Sequence, residues 1–291
     1  MNYGLLSPKV DFVFKKIFGN EKHPEILISF LNAVMKPVNP IKKVKINNSD
    51  IEKEHIEDKY SRLDIKATTD TGEQINIEIQ VKNEYNMIRR SLYYWSKMYE
   101  GQINEGDNYN KLSKTVCINI LDFKYLKNDR FHNGYRLKEI TTNEELTDVE
   151  EIHFIELPKM RESNENEEVT DMLEAWIKFI NNPSSKIVQK LEMDVEEIKQ
   201  AKEELIRLSG DKKEVELYEQ RKFAILDRVS DLENAEQKGL QQGLKKGLQQ
   251  GKMEGMVAAA KNLLVMNMDL EVISKATGLT IDEIKNLKKG L

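Results

Sequence analysis

Apolar residues in the first 160 positions recur at two different periods, which predict helices and strands in alternation. A spacing of three and four residues predicts helices over 7–18, 24–35 and 87–104. Ser7-Pro8 has the residue types of a helix start, with serine as the cap and proline in the first turn. The apolar stripe of the third predicted helix consists of Ile88, Leu92, Trp95, Tyr99 and Ile103.

Alternation of apolar and polar residues predicts the strands. It occurs over 41–46 and on both sides of Asp70-Thr71-Gly72, which together predict a β-hairpin with one apolar and one polar face. A nearly unbroken apolar run over 115–123 is typical of a central strand. Weaker strand signals near 135–140 and 152–157 complete an α/β core that ends near residue 160.

Beyond the core only helical signals occur. They divide the chain into a core over 1–160, a helical region over 161–236, a glycine-repeat segment over 237–256 and a small helical tail over 257–291. In the tail, Asp269 caps one helix, Gly278 ends it, and Thr280 with Glu283 forms a capping box for the next. That last helix opens with acidic residues that would meet phosphate, so we favour packing or oligomerisation over DNA reading for the tail.

The repeat places a glycine every fourth residue and a leucine after each of the first three glycines: Gly239, Gly243, Gly247, Gly251 and Gly255, with Leu240, Leu244 and Leu248. On an α-helix this spacing gives a continuous ridge of small residues. Each interior glycine costs about 1 kcal/mol of helix stability relative to alanine. The segment is therefore either a flexible linker or a helix held by a close-packed partner, and the second alternative predicts a homo-oligomer.

Composition excludes several classes of protein. The chain is 39% hydrophobic and 33% charged, its mean hydropathy is −0.61, and it has no run of about 18 apolar residues, so we expect no membrane span. The first residues do not resemble a secretory signal. The single cysteine, Cys117, excludes an internal disulfide framework, and one cysteine with four histidines argues against a structural zinc site. We expect a cytoplasmic protein.

The net charge of −5 hides a gradient along the chain. Residues 1–46 carry eight lysines against three acidic residues, whereas residues 141–174 carry twelve acidic residues against two basic ones. The gradient fits a basic working face in the first half of the chain, and it equally fits an uneven solvated surface.

The hairpin carries the strongest chemical signal. If Asp70-Thr71-Gly72 forms a three-residue loop, Thr69 pairs with Glu73 and Asp64 faces Glu78. Facing carboxylates repel each other, but a divalent cation between them reverses the sign of the interaction. A two-residue loop would instead place Asp64 opposite Ile79, and the polar face would then be merely solvated.

Asp64, a thirteen-residue gap and Glu78-Ile79-Gln80 resemble the D…(D/E)-x-K signature of the PD-(D/E)XK nuclease superfamily. Four segments in order resemble the Rpn family of bacterial recombination-promoting nucleases, often labelled transposases: 11–18 (DFVFKKIF), 77–80 (IEIQ), 89–95 (RRSLYYW) and 116–123 (VCINILDF). The resemblance spans about residues 5–160. It implies a PD-(D/E)XK restriction-endonuclease-like α/β core, a mixed sheet flanked by helices, followed by an all-helical C-terminal region.

The resemblance also implies an activity. It is metal-dependent cleavage of DNA, in recombination, mobile-element or defence processing, with Mg²⁺ or another divalent cation such as Mn²⁺ held by Asp64 and Glu78. The chain departs from the superfamily at Gln80, which stands where a lysine is usual, although members of the family commonly carry glutamine there. This departure supports an alternative, a catalytically weak DNA-binding or recombination-associated protein that keeps the nuclease fold.

Five further residues belong to the predicted site. Lys66 and Lys82 lie on the polar face by the two-residue period and are candidates to supply the charge of the missing lysine. Arg89 and Arg90 follow the hairpin and are candidate phosphate contacts, as is Lys66. Asp11 matches the N-terminal acidic residue of the family, or is a first-turn acid favoured by the helix dipole.

Overall fold

The computed structural model describes residues 4–47, 65–161 and 168–288. A mixed six-stranded sheet forms its centre, in the order β1-β2-β3-β4-β6-β5. The β3–β4 and β4–β6 pairs are parallel, and the other three pairs are antiparallel. The strands are β1 (Val44–Asn47), β2 (Ile65–Thr69), β3 (Gln74–Gln80), β4 (Thr115–Leu121), β5 (His132–Lys138) and β6 (Glu145–Glu156).

Helices flank the sheet, and the described elements that follow β6 are all helices. The sequence predicts this order for an α/β core with a helical C-terminal region. The helices of the core are α1 (Asp11–Phe18), α2 (Pro24–Met35) and α3 (Met87–Glu100). Those that follow are α4 (Met172–Asn181), α5 (Lys186–Asp194), α6 (Glu196–Gly210), α7 (Lys212–Val265), α8 (Leu270–Thr277) and α9 (Ile281–Lys288).

The β2–β3 hairpin has the predicted register. Ile65 pairs with Ile77 and Thr68 with Gln74, which leaves a three-residue loop. Gly72 ends that loop with φ = +88°, a left-handed conformation that suits glycine, and its N–H donates to the Thr69 carbonyl at 3.0 Å. The three-residue loop inferred from Asp70-Thr71-Gly72 is therefore confirmed.

Helices α1 and α2 contact the sheet at β3 and β1, and α4 and α6 pack on these helices around an aromatic cluster. Phe18 lies 5.2 Å from Phe30 and 5.2 Å from Trp176, measured between ring centroids, and all three side chains are fully buried. Because α4 packs on α2, and α6 packs on both α1 and α2, the helices that follow the sheet share the core of the first compact unit, Met1–Ala224. The four-part division at 160, 236 and 256 stays a prediction.

The opposite face is covered by α3, which excludes the alternative of a solvated polar face and corrects the predicted stripe of α3. The polar face of β3 is buried rather than solvated, because β4 pairs alongside it and α3 lies above it. The buried stripe of α3 is displaced by one position from the predicted one, which leaves Ile88 and Leu92 about half exposed. Its members are Met87, Ser91, Tyr94 and Met98.

Two predicted helix boundaries are also wrong. The first helix begins at Asp11, because Ser7 starts a turn in which its carbonyl accepts the Val10 N–H at 3.2 Å. The third ends at Glu100, and Gly101 follows it as the C-cap.

The second compact unit, Ile225–Leu291, contains the C-terminal part of α7 with α8 and α9. The predicted caps are present: the Asp269 carboxylate accepts the Glu271 N–H at 2.8 Å, and Thr280 and Glu283 bond reciprocally. Gly278 ends α8 with φ = +76°. Among the described helices, none is both long and apolar enough to cross a membrane. The apolar centre of this unit comprises Ala260, Leu264, Ile273, Leu279 and Ile284.

A buried polar network joins β5 to β6 at the sheet edge. His132 Nε2 lies 2.9 Å from His153 Nδ1, and His153 Nε2 lies 2.6 Å from Glu151 Oε1. Glu151 also pairs with Lys114 and Arg136, at 2.9 and 2.7 Å. Burial, with His153 beside it, lowers the pKa of His132 to about 4. Burial alone raises the pKa of Glu151, but hydrogen bonds from His153 and Lys114 outweigh it and lower the value to about 2.

We expect the protein to lose stability as the pH falls from about 6.5 to about 4. Unfolded His132 takes up a proton in that window and folded His132 does not, so protonation favours the unfolded chain. His132→Gln removes this proton uptake. The difference in the free energy of unfolding between the two pH values should therefore become smaller by about 1–2 kcal/mol, allowing for the partial solvent exposure of His132. Urea denaturation at pH values of about 7 and 4.5 measures the difference.

The matched control is His23→Gln, because His23 lies at the surface beside Glu25 and takes no part in the network. It should keep the wild-type dependence. An unchanged pH dependence in the His132 variant would contradict the assignment.

Candidate functional site

Glu78 lies near the carboxyl end of β3, on the face covered by α3, and only 1% of it is exposed. Its Oε1 atom accepts a hydrogen bond from Gln80 Nε2 at 2.7 Å and forms an ion pair with Arg90 Nη2. Its Oε2 atom is buried and, among the described residues, has no hydrogen-bond partner. One oxygen of this carboxylate is therefore held by two donors, and the other by none.

Arg90 reaches Glu78 from the first turn of α3. Its guanidinium lies 5.3 Å from the centre of the Tyr94 ring, so it contacts an aromatic face as well as the carboxylate. Burial opposes the charge on Arg90, but the attraction of Glu78 outweighs this and raises the Arg90 pKa. Burial raises the pKa of Glu78, and this outweighs the lowering effects of Arg90 and Gln80, so the pKa of Glu78 lies above its usual value. The ion pair with Arg90 offsets part of the free-energy cost of burying the Glu78 carboxylate.

Neighbouring polar side chains fix α3 over the sheet. Asn119 of β4 lies beside Glu78, accepts from the Ser91 hydroxyl at 2.9 Å, and donates to the His153 carbonyl at 3.0 Å. Asn76, two residues before Glu78, is also 1% exposed, and its Oδ1 atom has no partner among the described residues. Burial raises the pKa of Cys117, which is a core thiol, as its place in an apolar run predicts.

Glu78 Oε2, a buried carboxylate oxygen without a partner among the described residues, suits a hard divalent cation. A buried carboxylate oxygen without a partner costs about 1–3 kcal/mol or more, and a cation at that oxygen removes the cost. Oxygen atoms of this kind are the ligands that Mg²⁺ and Mn²⁺ take. No group of three His, Cys, Asp or Glu side chains placed to hold a metal ion occurs in the described residues. Asp64, the second predicted ligand, lies outside them.

The structure brings only some of the predicted residues together. Gln80 and Arg90 contact Glu78, whereas Arg89 is exposed. Lys66 pairs across the hairpin with Asn76 and is partly buried.

Two other predicted residues are Lys82 and Asp11. Lys82 is partly buried just beyond the end of β3. Asp11 is the first residue of α1, and its Oδ1 accepts the Phe12 N–H at 2.7 Å, an interaction within its own helix. The roles predicted for both residues stay predictions.

A second charged pair, which no sequence pattern predicts, lies near the same end of the sheet. Lys9 Nζ lies 2.8 Å from Asp122 Oδ1, and the Asp122 N–H donates to the Gln80 carbonyl at 2.9 Å. Asp122 directly follows β4, and polar residues at the carboxyl ends of parallel strands are a recognised signal of a site. The pair thus anchors the segment before α1 beside the end of β3.

The comparisons with known proteins agree with this architecture. The family described as PD-(D/E)XK nuclease family transposase matches residues 8–235. No curated protein and no solved structure matches the chain. The matched region contains the whole sheet, α1 to α6 and the first part of α7.

Proposed function

The chain belongs to the PD-(D/E)XK nuclease family transposases, and from this membership we propose that it is a metal-dependent DNA endonuclease. The reaction is hydrolysis of phosphodiester bonds, in recombination, mobile-element or defence processing of DNA. The observation that carries the proposal is Glu78, a buried carboxylate in the family's core with one oxygen free of any described partner.

Glu78 and Asp64 are the residues that would hold the cation, which is Mg²⁺ or Mn²⁺. When bound, such a cation lowers the pKa of a water molecule and stabilises the charge that builds up on the scissile phosphate. Arg90 forms an ion pair with Glu78 and favours its charged form, although burial has the larger effect and raises the pKa of Glu78. Helix α3 excludes bulk water from that carboxylate, which strengthens every charge interaction around it.

Phosphate contacts are proposed for the positive side chains around the site. Arg89 is exposed in the first turn of α3, next to the arginine that pairs with Glu78. Because Arg90 is already engaged, Arg89 is the better candidate for a contact that adds affinity without sequence preference. Lys66 and Lys82, partly buried at the same hairpin, are further candidates.

A second candidate function is supported by Gln80. Its amide is hydrogen-bonded to Glu78 and brings no positive charge to the position where the superfamily carries lysine. A protein of this kind would bind DNA in recombination while turning over slowly or not at all. Cleavage assays separate the two functions.

We also propose that the protein associates with itself through the glycine repeat of α7. The repeat is helical. A Cβ atom at any of its five glycines would meet nothing within 4 Å. No contact within the described chain therefore offsets the helix stability that the glycines lose relative to alanine. The leucines beside the ridge, Leu240, Leu244 and Leu248, are each 74% exposed. Close packing against the same helix of a second copy offsets the cost of the glycines and covers the leucines.

Glu78→Gln and Asp64→Asn should each abolish nicking of supercoiled plasmid in the presence of Mg²⁺, because each removes a proposed ligand. Agarose-gel assays of the full-length protein with Mg²⁺, and with EDTA instead, measure this. Asp70→Asn, an exposed carboxylate at the tip of the same hairpin, is the matched control and should cut at the wild-type rate. Wild-type protein that binds plasmid without nicking it would favour the second candidate function.

Arg89→Ala should weaken DNA binding and reduce the slope of log affinity against log salt concentration by about 1, because one phosphate contact is lost. Fluorescence anisotropy with two unrelated duplexes shows whether the loss is independent of sequence. Lys186→Ala, on α5, serves as a charge-matched control. An unchanged slope in the Arg89 variant moves the DNA path away from α3.

Replacing Gly243, Gly247 and Gly251 by alanine should raise helix content and weaken the oligomer. Each methyl group has open space within its own chain, so only a second chain can be pushed away. Light scattering and circular dichroism measure the two effects. Gln241→Ala with Gln249→Ala, on the same segment, is the control for a change in propensity alone. Equal masses for all three proteins would refute the association.

A further inference from the structure

The Glu78–Arg90 ion pair is only half formed. Arg90 Nη2 contacts Glu78 Oε1, but Arg90 Nε and Glu78 Oε2 are both buried, and neither has a hydrogen-bond partner among the described residues. A guanidinium that offers its Nε and Nη2 edge satisfies both oxygens of a carboxylate at once. A donor, Arg90 Nε, and an acceptor, Glu78 Oε2, therefore both lack a partner, although a hydrogen bond between them would satisfy both.

Gln80 supplies a physical reason for this arrangement. Its side chain lies on the same face of β3 as Glu78, two residues further on, and its amide donates to the oxygen that Arg90 already contacts, at 2.7 Å. Two donors on Oε1 fix the rotation of the carboxyl group, which otherwise turns easily about its last bond. With that rotation fixed, Oε2 is left without a hydrogen-bond partner among the described residues, and so is Arg90 Nε.

We propose, on the premise of the nuclease function above, that Gln80 is a positioning residue that keeps the Glu78–Arg90 pair monodentate and so reserves Oε2 for the divalent cation. A carboxylate that chelates a guanidinium through both oxygens is a poor metal ligand, because the cation must first displace a charge-assisted hydrogen bond. Gln80 thus acts through Glu78, and this role differs from the charge that a lysine at its position would supply.

The test is titration of the full-length protein with Mn²⁺ alone, without DNA, by isothermal calorimetry. Gln80→Ala should lower the Mn²⁺ affinity about tenfold or more, the range seen when a residue that orients a metal ligand is lost. In EDTA, its thermal unfolding temperature should hold or rise, because Arg90 then closes on both oxygens. Gln74→Ala, a glutamine on the same face at the other end of β3, should keep the wild-type affinity.

A second variant tests the cause of the loss. Arg90→Lys in the Gln80→Ala background replaces the guanidinium by an ammonium group. The ammonium has a single nitrogen, so it cannot donate to both carboxylate oxygens through two adjacent nitrogen atoms as the guanidinium does. Most of the lost Mn²⁺ affinity should return, although the amide is still missing. Unchanged affinity in Gln80→Ala, or a double variant as weak as Gln80→Ala, overturns the proposal.

The same titrations separate this proposal from the proposed function. Wild-type affinity in Glu78→Gln shows that the cation is not held by Glu78, and both proposals then fail. Loss of binding in Glu78→Gln together with normal binding in Gln80→Ala leaves the nuclease proposal standing and overturns the role of Gln80 alone.

Discussion

The burial of the Glu78 carboxylate is the constraint on which the rest of the core depends. A carboxyl group at 1% exposure needs a counter-ion or hydrogen bonds, and these come from Arg90 on α3 and from Gln80 on the same strand. Helix α3 must therefore lie where Arg90 reaches Glu78. The position of the helix is set by a polar requirement, and its apolar contacts adapt to that position.

Hydrogen bonds of Ser91 and Asn119 connect α3 to the neighbouring strands of the sheet. Next to Arg90 on the helix, Ser91 donates to Asn119 on β4, and Asn119 in turn donates to the backbone of β6 at His153. On the other face of β6, the His153 ring belongs to the network with His132 and Glu151. Buried polar groups therefore occur from the candidate site to the sheet edge, and Ser91, Asn119 and His153 are each hydrogen-bonded within this series.

Local patterns were sufficient to predict the elements and the hairpin register, because each depends on neighbouring residues. Gly72 has the left-handed conformation that its loop requires, and Thr280 and Glu283 form the reciprocal cap that their spacing indicates. The buried face of α3 could not be predicted in this way. Both Ile88 with Leu92 and Met87 with Ser91 occur at helical spacing, and the choice between them depends on contacts with Glu78 and Asn119 that are distant in sequence. The ion pair of Arg90 was missed for the same reason.

The end of the family match separates two kinds of constraint on the chain. The match ends at residue 235, four residues before the first glycine of the repeat, so the requirements of the nuclease fold do not account for the repeat. Helix propensity does not account for it either, since alanine at the same positions meets open space and forms a better helix. A small residue at every fourth position of an exposed helix has a physical use only where another backbone approaches closely. Under the proposed self-association the repeat is explained by contacts outside its own chain, whereas the position of Glu78 follows from partners within it.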